Sequence, residues 1–180
     1  MLRGIKFRTN TKTRALVLAA MMGGLIFVGG LIRIPLGPLP FTLQTLFVLL
    51  SGMLLEPSGA LSATLLHLLL ILVFGGASSV LSPSFGFVLA FIPAAYVLSC
   101  LNKLRGRNMF EKAVNVVMAS LLIYLIGLPY MALILRYISG QVLTPQNILL
   151  SGMLVFLPGD ALKAALALVL ERRLRPVVVT

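Results

Sequence analysis

The chain has 180 residues, 59% of them hydrophobic and 11% charged, with a formal net charge of +11 and a mean hydropathy of +1.08. That apolar content excludes a water-soluble domain of this length and identifies an integral membrane protein set in a lipid bilayer. The charge does not indicate nucleic-acid binding, because twelve of the fifteen basic residues fall in three short clusters between apolar runs, as membrane topology requires.

The first cluster, Arg3, Lys6, Arg8, Lys12 and Arg14, precedes the run Ala15 to Ile34. About 20 helical residues rise about 30 Å, enough to cross the hydrocarbon core, and exceed the apolar region of a signal peptide. The run is read as an uncleaved first helix. Within it Ala15, Ala19 and Gly23 recur at i, i+4 and i+8, with Ala20 and Gly24 as a second row. Such rows let another helix approach closely, either inside this bundle or on a separate membrane subunit. The segment Ile34 to Gln44 contains Pro35, Pro38 and Pro40, which remove amide donors and force an extended path, so a loop is expected. Because this loop is apolar, it is expected to fold down as a lid over a cavity.

Thr42 to Leu55 and Gly59 to Phe74 are the predicted second and third helices. Both fall short of a full span of roughly 20 residues, so a re-entrant pair is the alternative to two crossings. Gly75 to Pro83 is an uncharged outer loop whose glycines permit close approach of backbone to a solute. The fourth helix takes Ser84 to Leu101, and the second basic cluster is Lys103, Arg105, Arg107 and Lys112. Ala113 to Arg136 is the fifth helix, a loop with Gly140, Gln141, Thr144 and Pro145 follows, and Asn147 to Glu171 is the sixth, ahead of Arg172, Arg173 and Arg175. Positive charge marks the cytoplasmic side, which demands an even number of spans between neighbouring clusters. Six transmembrane helices with both termini cytoplasmic satisfy this, as would four spans and a re-entrant pair. The expected fold is all-α: residues 1–14 a basic cytoplasmic N-terminus, 15–172 a six-helix membrane domain and 173–180 a cytoplasmic tail.

Asp160 and Lys163 lie inside the sixth apolar run. Each charge costs about 2.5 to 3.5 kcal/mol at a helix centre, so the two need a partner, a water-filled cavity or a ligand. At i and i+3 they share a face. Pro158 and Gly159 just before them weaken the helix, and broken segments lining cavities are where membrane proteins present backbone groups to a solute. A polar-solute site is expected here; a structural ion pair is the competing reading, and the two are compatible. Arg33 and Arg136, near outer helix ends, either snorkel to headgroups or pair with an anionic substrate group. His67 has no Cys or second His at ligand spacing, so an interhelical hydrogen bond is expected rather than a metal. Gln44, Asn115 and Tyr124 are polar groups of the same interhelical kind. Cys100, the single cysteine, forms no intrachain disulfide and is expected to pack. Only four acidic residues exist, and there is no hydrolase, metalloprotease or phosphate-loop motif, so the chain reads as a non-enzyme without an ATP site.

The segment Ile34 to Thr45, the pair Gly75 and Gly76, Pro83 to Phe87, and Pro158-Gly-Asp-Ala-Leu-Lys163 resemble the BioY family from about Ala15 to Arg172. These are the biotin-binding membrane subunits of energy-coupling factor (ECF) transporters. The resemblance implies six helices in the bacterial cell membrane, biotin in a cavity near the outer face capped by the loop after the first helix, and no cofactor. It also implies a transmembrane coupling protein and two cytoplasmic ATPases as partners, with Ala15, Ala19 and Gly23 as docking face. Asp160 and Lys163 match the family's acid and lysine that contact the vitamin. A carboxylate suits the ureido N–H groups of biotin and an ammonium its carbonyl. Phe41, Phe85, Phe87 and Tyr124 suit its apolar body, and Arg33, Gln44, Ser78 and Ser79 are candidates for its carboxylate. From Ala77 to Phe87 the chain departs from the longer glycine-rich stretch of many relatives. Another vitamin, such as riboflavin or thiamin, or ion-coupled transport through Asp160, are the alternatives.

Overall fold

A helix too short to span a bilayer lies at the centre of the structure, a computed structural model that describes residues 11–36, 39–141 and 144–178. In α2 (Gln44–Leu54), Leu46 and every residue from Val48 to Leu54 are buried, as expected of a helix apolar on all faces. Around it pack α1 (Thr11–Leu31), α4 (Phe85–Arg105) and α7 (Leu157–Val178), while α3 (Pro57–Gly75) lies on α1 and α4, and α5 (Met109–Tyr137) lies on α4. Small residues set these approaches: Gly52 sits against the Ala95 carbonyl and Leu98, and Gly23 against the Ala63 carbonyl and Leu66. Leu16, Val73, Leu125 and Leu162 are each more than half exposed, the apolar exterior that lipid requires. Among the described residues five helices are long and apolar enough to cross a membrane, counting the helical run Pro145–Val178 as one; α2, with 11 residues, is shorter.

The expected loop after the first helix is instead a β-hairpin, β1 (Arg33–Leu36) antiparallel to β2 (Leu39–Thr42). The fold is mostly helical as expected, and among the described residues the hairpin adds a two-stranded ribbon to it. Prolines pointed to a loop, yet Pro35 and Pro40 face each other in register, as in a non-hydrogen-bonded pair of an antiparallel ladder, which asks for no N–H. Gly37 and Pro38 lie outside the described residues.

Helix ends also differ. α1 begins at Thr11 and α7 continues to Val178, so described basic residues at both chain ends are carried on helices rather than tails; Arg3, Lys6 and Arg8 lie outside the described residues. α5 starts four residues before Ala113 because Asn108 and Glu111 form a reciprocal capping box. The sixth predicted helix is divided into α6 (Pro145–Leu149), a π turn over Leu150–Leu154, and α7. Pro158 and Gly159 fall in the first turn of α7, where the missing proline N–H would have had no helical acceptor in any case. After α3 the chain turns through Gly76 at φ 70 and ψ 179, a region essentially reserved for glycine, into a 3-10 turn over Ala77–Leu81.

The row expected to dock a partner is partly consumed inside the bundle. Ala19 is buried and Gly23 lies against α3, whereas Ala15 is exposed. The second row faces out: Ala20 is exposed, and a Cβ at Gly24 would meet nothing within 4 Å.

Basic residues gather at one end. Lys103 pairs with Glu56, Lys112 with both oxygens of Glu171 at 2.8 and 3.0 Å, and Arg175 with Glu171 and the Met53 carbonyl. Arg14 donates to the Val177 carbonyl at 2.6 Å. Asn115 bridges α5 to Asn102 and Arg105 of α4, the interhelical role expected of it. Glu171 is fully buried, so its two cations match a carboxylate that low dielectric would otherwise penalise. Glu171→Ala is expected to cost about 3 kcal/mol, as for a broken buried pair, lowering the melting temperature of the detergent-solubilised protein; an unchanged melting curve would contradict this role.

Candidate ligand-binding site

Because helix α7 restarts at Leu157, Asp160 stands in its first turn, where the helix dipole favours a carboxylate. One turn further, Lys163 is buried. Its ammonium lies 2.5 Å from Asp160 Oδ1, donates to the Thr42 carbonyl at 3.0 Å and sits 4.2 Å above the centre of the Phe41 ring, a cation–π distance. The second oxygen of Asp160 accepts from the Tyr124 hydroxyl. The pair thus joins α7 to α5 and to the hairpin. Gly159 provides the seat for Phe41: a Cβ there would collide with the ring.

This cluster forms one wall of a cavity of about 290 Å³. Arg33, Phe41, Gln44, Ser79, Phe85, Phe87, Tyr124, Asp160 and Lys163 all line it. Ser78 does not: it is exposed and donates to the Gly75 carbonyl at 3.3 Å, since successive residues of a 3-10 turn point about 120° apart. Phe87 meets Tyr124 edge to face with centroids 6.2 Å apart, an arrangement favoured by the ring quadrupoles. Arg33 remains exposed, its Nε donating to the Gly30 carbonyl at 2.7 Å. Arg136 is not at the cavity and stacks on Tyr137, 5.5 Å from the ring centre.

Several contributors escaped sequence reasoning. Thr42 supplies the carbonyl that holds Lys163, and its hydroxyl donates to Gln44 Oε1 at 3.2 Å. The Gln44 amide nitrogen in turn lies 3.1 Å from His67 Nε2, so His67 makes the interhelical bond expected of it. Ser82 and Ser84, whose hydroxyls are 2.9 Å apart, also line the cavity; only their position beside Pro83 in an uncharged loop marked them. Among the described residues no group of three or more His, Cys, Asp or Glu is placed to hold a metal ion.

The cavity offers a carboxylate, an ammonium and a phenol on one wall, aromatic faces around them, and an amide and a guanidinium beside the hairpin. That is equipment for holding a compact molecule with a polar head and an apolar body. Fold and site together define a multi-pass membrane protein that binds a small solute. Residues 6–180 match the family model of the BioY family. The "Probable biotin transporter BioY" of Pyrococcus horikoshii is 31% identical over 91% of this chain and 98% of its own, and the "Biotin transporter BioY" of Lactococcus lactis subsp. cremoris is 34% identical over 92% and 93%. A crystal structure of "the S-component for biotin from an ECF-type ABC transporter" superposes with a TM-score of 0.80 at 30% identity, covering 94% of this chain and 95% of that one. The chain belongs to the BioY family.

Lys163→Met keeps the apolar stem and removes all three ammonium contacts. Hydrogen exchange at the β2 amides is expected to accelerate by at least about tenfold, the equivalent of about 1.5 kcal/mol for one lost charge-assisted hydrogen bond. Unchanged exchange would mean that apolar contacts alone hold the hairpin.

Proposed function

We propose that this chain is the biotin-binding subunit of an ECF-type importer, taking biotin from the outer side into the cavity described above. The carrying observation is the junction of the Asp160–Lys163–Tyr124 cluster with aromatic walls in a single cavity, within a bundle that superposes on the S-component for biotin. Biotin offers ureido N–H donors to the Asp160 carboxylate and a ureido carbonyl to the Lys163 ammonium. Phe41, Phe85, Phe87 and Tyr124 flank the bicyclic ring and valeryl chain, and Arg33, Gln44 and Ser79 receive the carboxylate on the hairpin side.

Six passes with both termini cytoplasmic is the topology assigned here. Contacts tie Arg14, Lys103, Lys112 and Arg175 to one end of the bundle, and positive-inside makes that end cytoplasmic. α2 covers only about 16 Å and follows directly on the hairpin. A transmembrane coupling protein and two cytoplasmic ATPases supply the energy, with the coupling protein docking on the outward row of α1 formed by Ala20 and Gly24.

Equilibrium binding of labelled biotin to the purified protein in detergent, with riboflavin and thiamin as competitors, tests the assignment. Saturable binding displaced by unlabelled biotin alone is expected; absence of binding by a monodisperse sample would refute it. Asp160→Asn is expected to weaken binding by about 1 to 3 kcal/mol while the protein stays monodisperse, and equal affinity would remove Asp160 from the site. Ala20→Leu with Gly24→Leu should leave biotin affinity intact and abolish uptake by the full complex; retained uptake would move docking elsewhere.

A further inference from the structure

Behind the cavity wall a fully buried histidine holds one of the lining residues. His67 of α3 has no exposed surface and does not line the cavity, but its Nε2 lies 3.1 Å from the Gln44 amide nitrogen. Three features fix that amide. The Gln44 side chain lies where a Cβ at Gly30 would stand, its oxygen accepts from the Thr42 hydroxyl at 3.2 Å, and its nitrogen faces His67. A neutral imidazole has one donor and one acceptor nitrogen. For Gln44 to donate, Nε2 must be the acceptor and Nδ1 must carry the proton. Nδ1 has no hydrogen-bond partner among the described residues, an arrangement that costs stability in a buried site. A leucine would fill the same place without that orphaned group. Stability alone does not explain the residue, whereas the bond to Gln44 does.

We infer that His67 is a positioning residue for ligand recognition: it locks the Gln44 amide so that one N–H and one carbonyl lone pair remain directed to the cavity. With His67 accepting one N–H and Thr42 donating to the oxygen, those are the two valences left on the amide. Gln44 then acts as an oriented donor–acceptor rather than a freely turning side chain, and Thr42 connects it to the Lys163 cluster through its carbonyl. This inference rests on biotin being the ligand.

A double-mutant cycle on biotin binding tests it, using His67→Leu, Gln44→Ala and the two combined. His67→Leu is expected to weaken binding about tenfold, and the combined variant to match Gln44→Ala within about twofold, because the histidine acts only through the amide. Additive losses in a wild-type background that binds biotin would overturn the positioning role alone, since a merely structural histidine would weaken binding whether or not Gln44 is present. Absence of wild-type binding would instead overturn the biotin assignment, and this inference with it. If His67→Leu does not purify as a monodisperse protein, His67→Gln decides: its side-chain oxygen can accept from Gln44, so affinity within about threefold of wild type supports the role and a loss of about tenfold or more overturns it.

Discussion

A buried ammonium has to be matched wherever it goes, and in this protein the matching of Lys163 ties α7 to the hairpin. Its partners are a carboxylate on its own helix, a backbone carbonyl at the end of the hairpin and the face of a hairpin phenylalanine. Each places a demand on the chain. Asp160 is in the first turn of a helix because the preceding helical run breaks after its π turn. Phe41 comes within reach because residue 159 lacks a side chain. The Thr42 carbonyl is available because the ribbon ends there and α2 begins at Gln44. The cavity is the space left when these demands are met with aromatic rings, so its polar wall and the seat of the hairpin beside it are products of one electrostatic requirement.

At the other end of α7 the same physics appears with the sign reversed. Glu171 is a buried carboxylate held by Lys112 from α5 and Arg175 from α7, and Arg175 continues to the last turn of α2. Helix α7 is thus pinned at both ends by ionic contacts while the residues between are apolar. All four acidic residues of the chain are engaged in the structure: Glu56 and Glu171 with cations, Glu111 in a helix cap, Asp160 with Lys163 and Tyr124. With so few acids, none is left to offset the surrounding positive charge, and the basic end keeps the excess that orients a membrane protein.

What the sequence disclosed follows from range. Apolar run length and basic clusters are local properties, and they indicated the membrane class, most of the helices and their order. The pair at Asp160 and Lys163 was legible because intramembrane charges are rare enough to stand out. The hairpin was not, because proline is a signal against regular structure and only long-range register turns Pro35 and Pro40 into an acceptable pair. The small-residue rows of α1 show a related limit: Ala19 and Ala20 are indistinguishable in sequence, and only packing of α1 in the bundle decides which one is buried. Thr42 contributes chiefly through a carbonyl, which no side-chain pattern can announce.

The self-paired arrangement bears on selectivity. Asp160 and Lys163 already satisfy each other, with Tyr124 and Thr42 taking further valences, so a ligand gains nothing by contacting one of them at the expense of the other. A molecule that offers only an acceptor would draw Lys163 away and leave the Asp160 carboxylate with the Tyr124 hydroxyl as its remaining side-chain partner, which weakens the gain from binding. A molecule with donors and an acceptor on one rigid ring can replace both halves of the contact at once. Discrimination then comes from the cost imposed on incomplete ligands more than from extra attraction to the right one. The same competition reaches the hairpin, because a group that draws on the Lys163 ammonium competes directly with the Thr42 carbonyl and the Phe41 face.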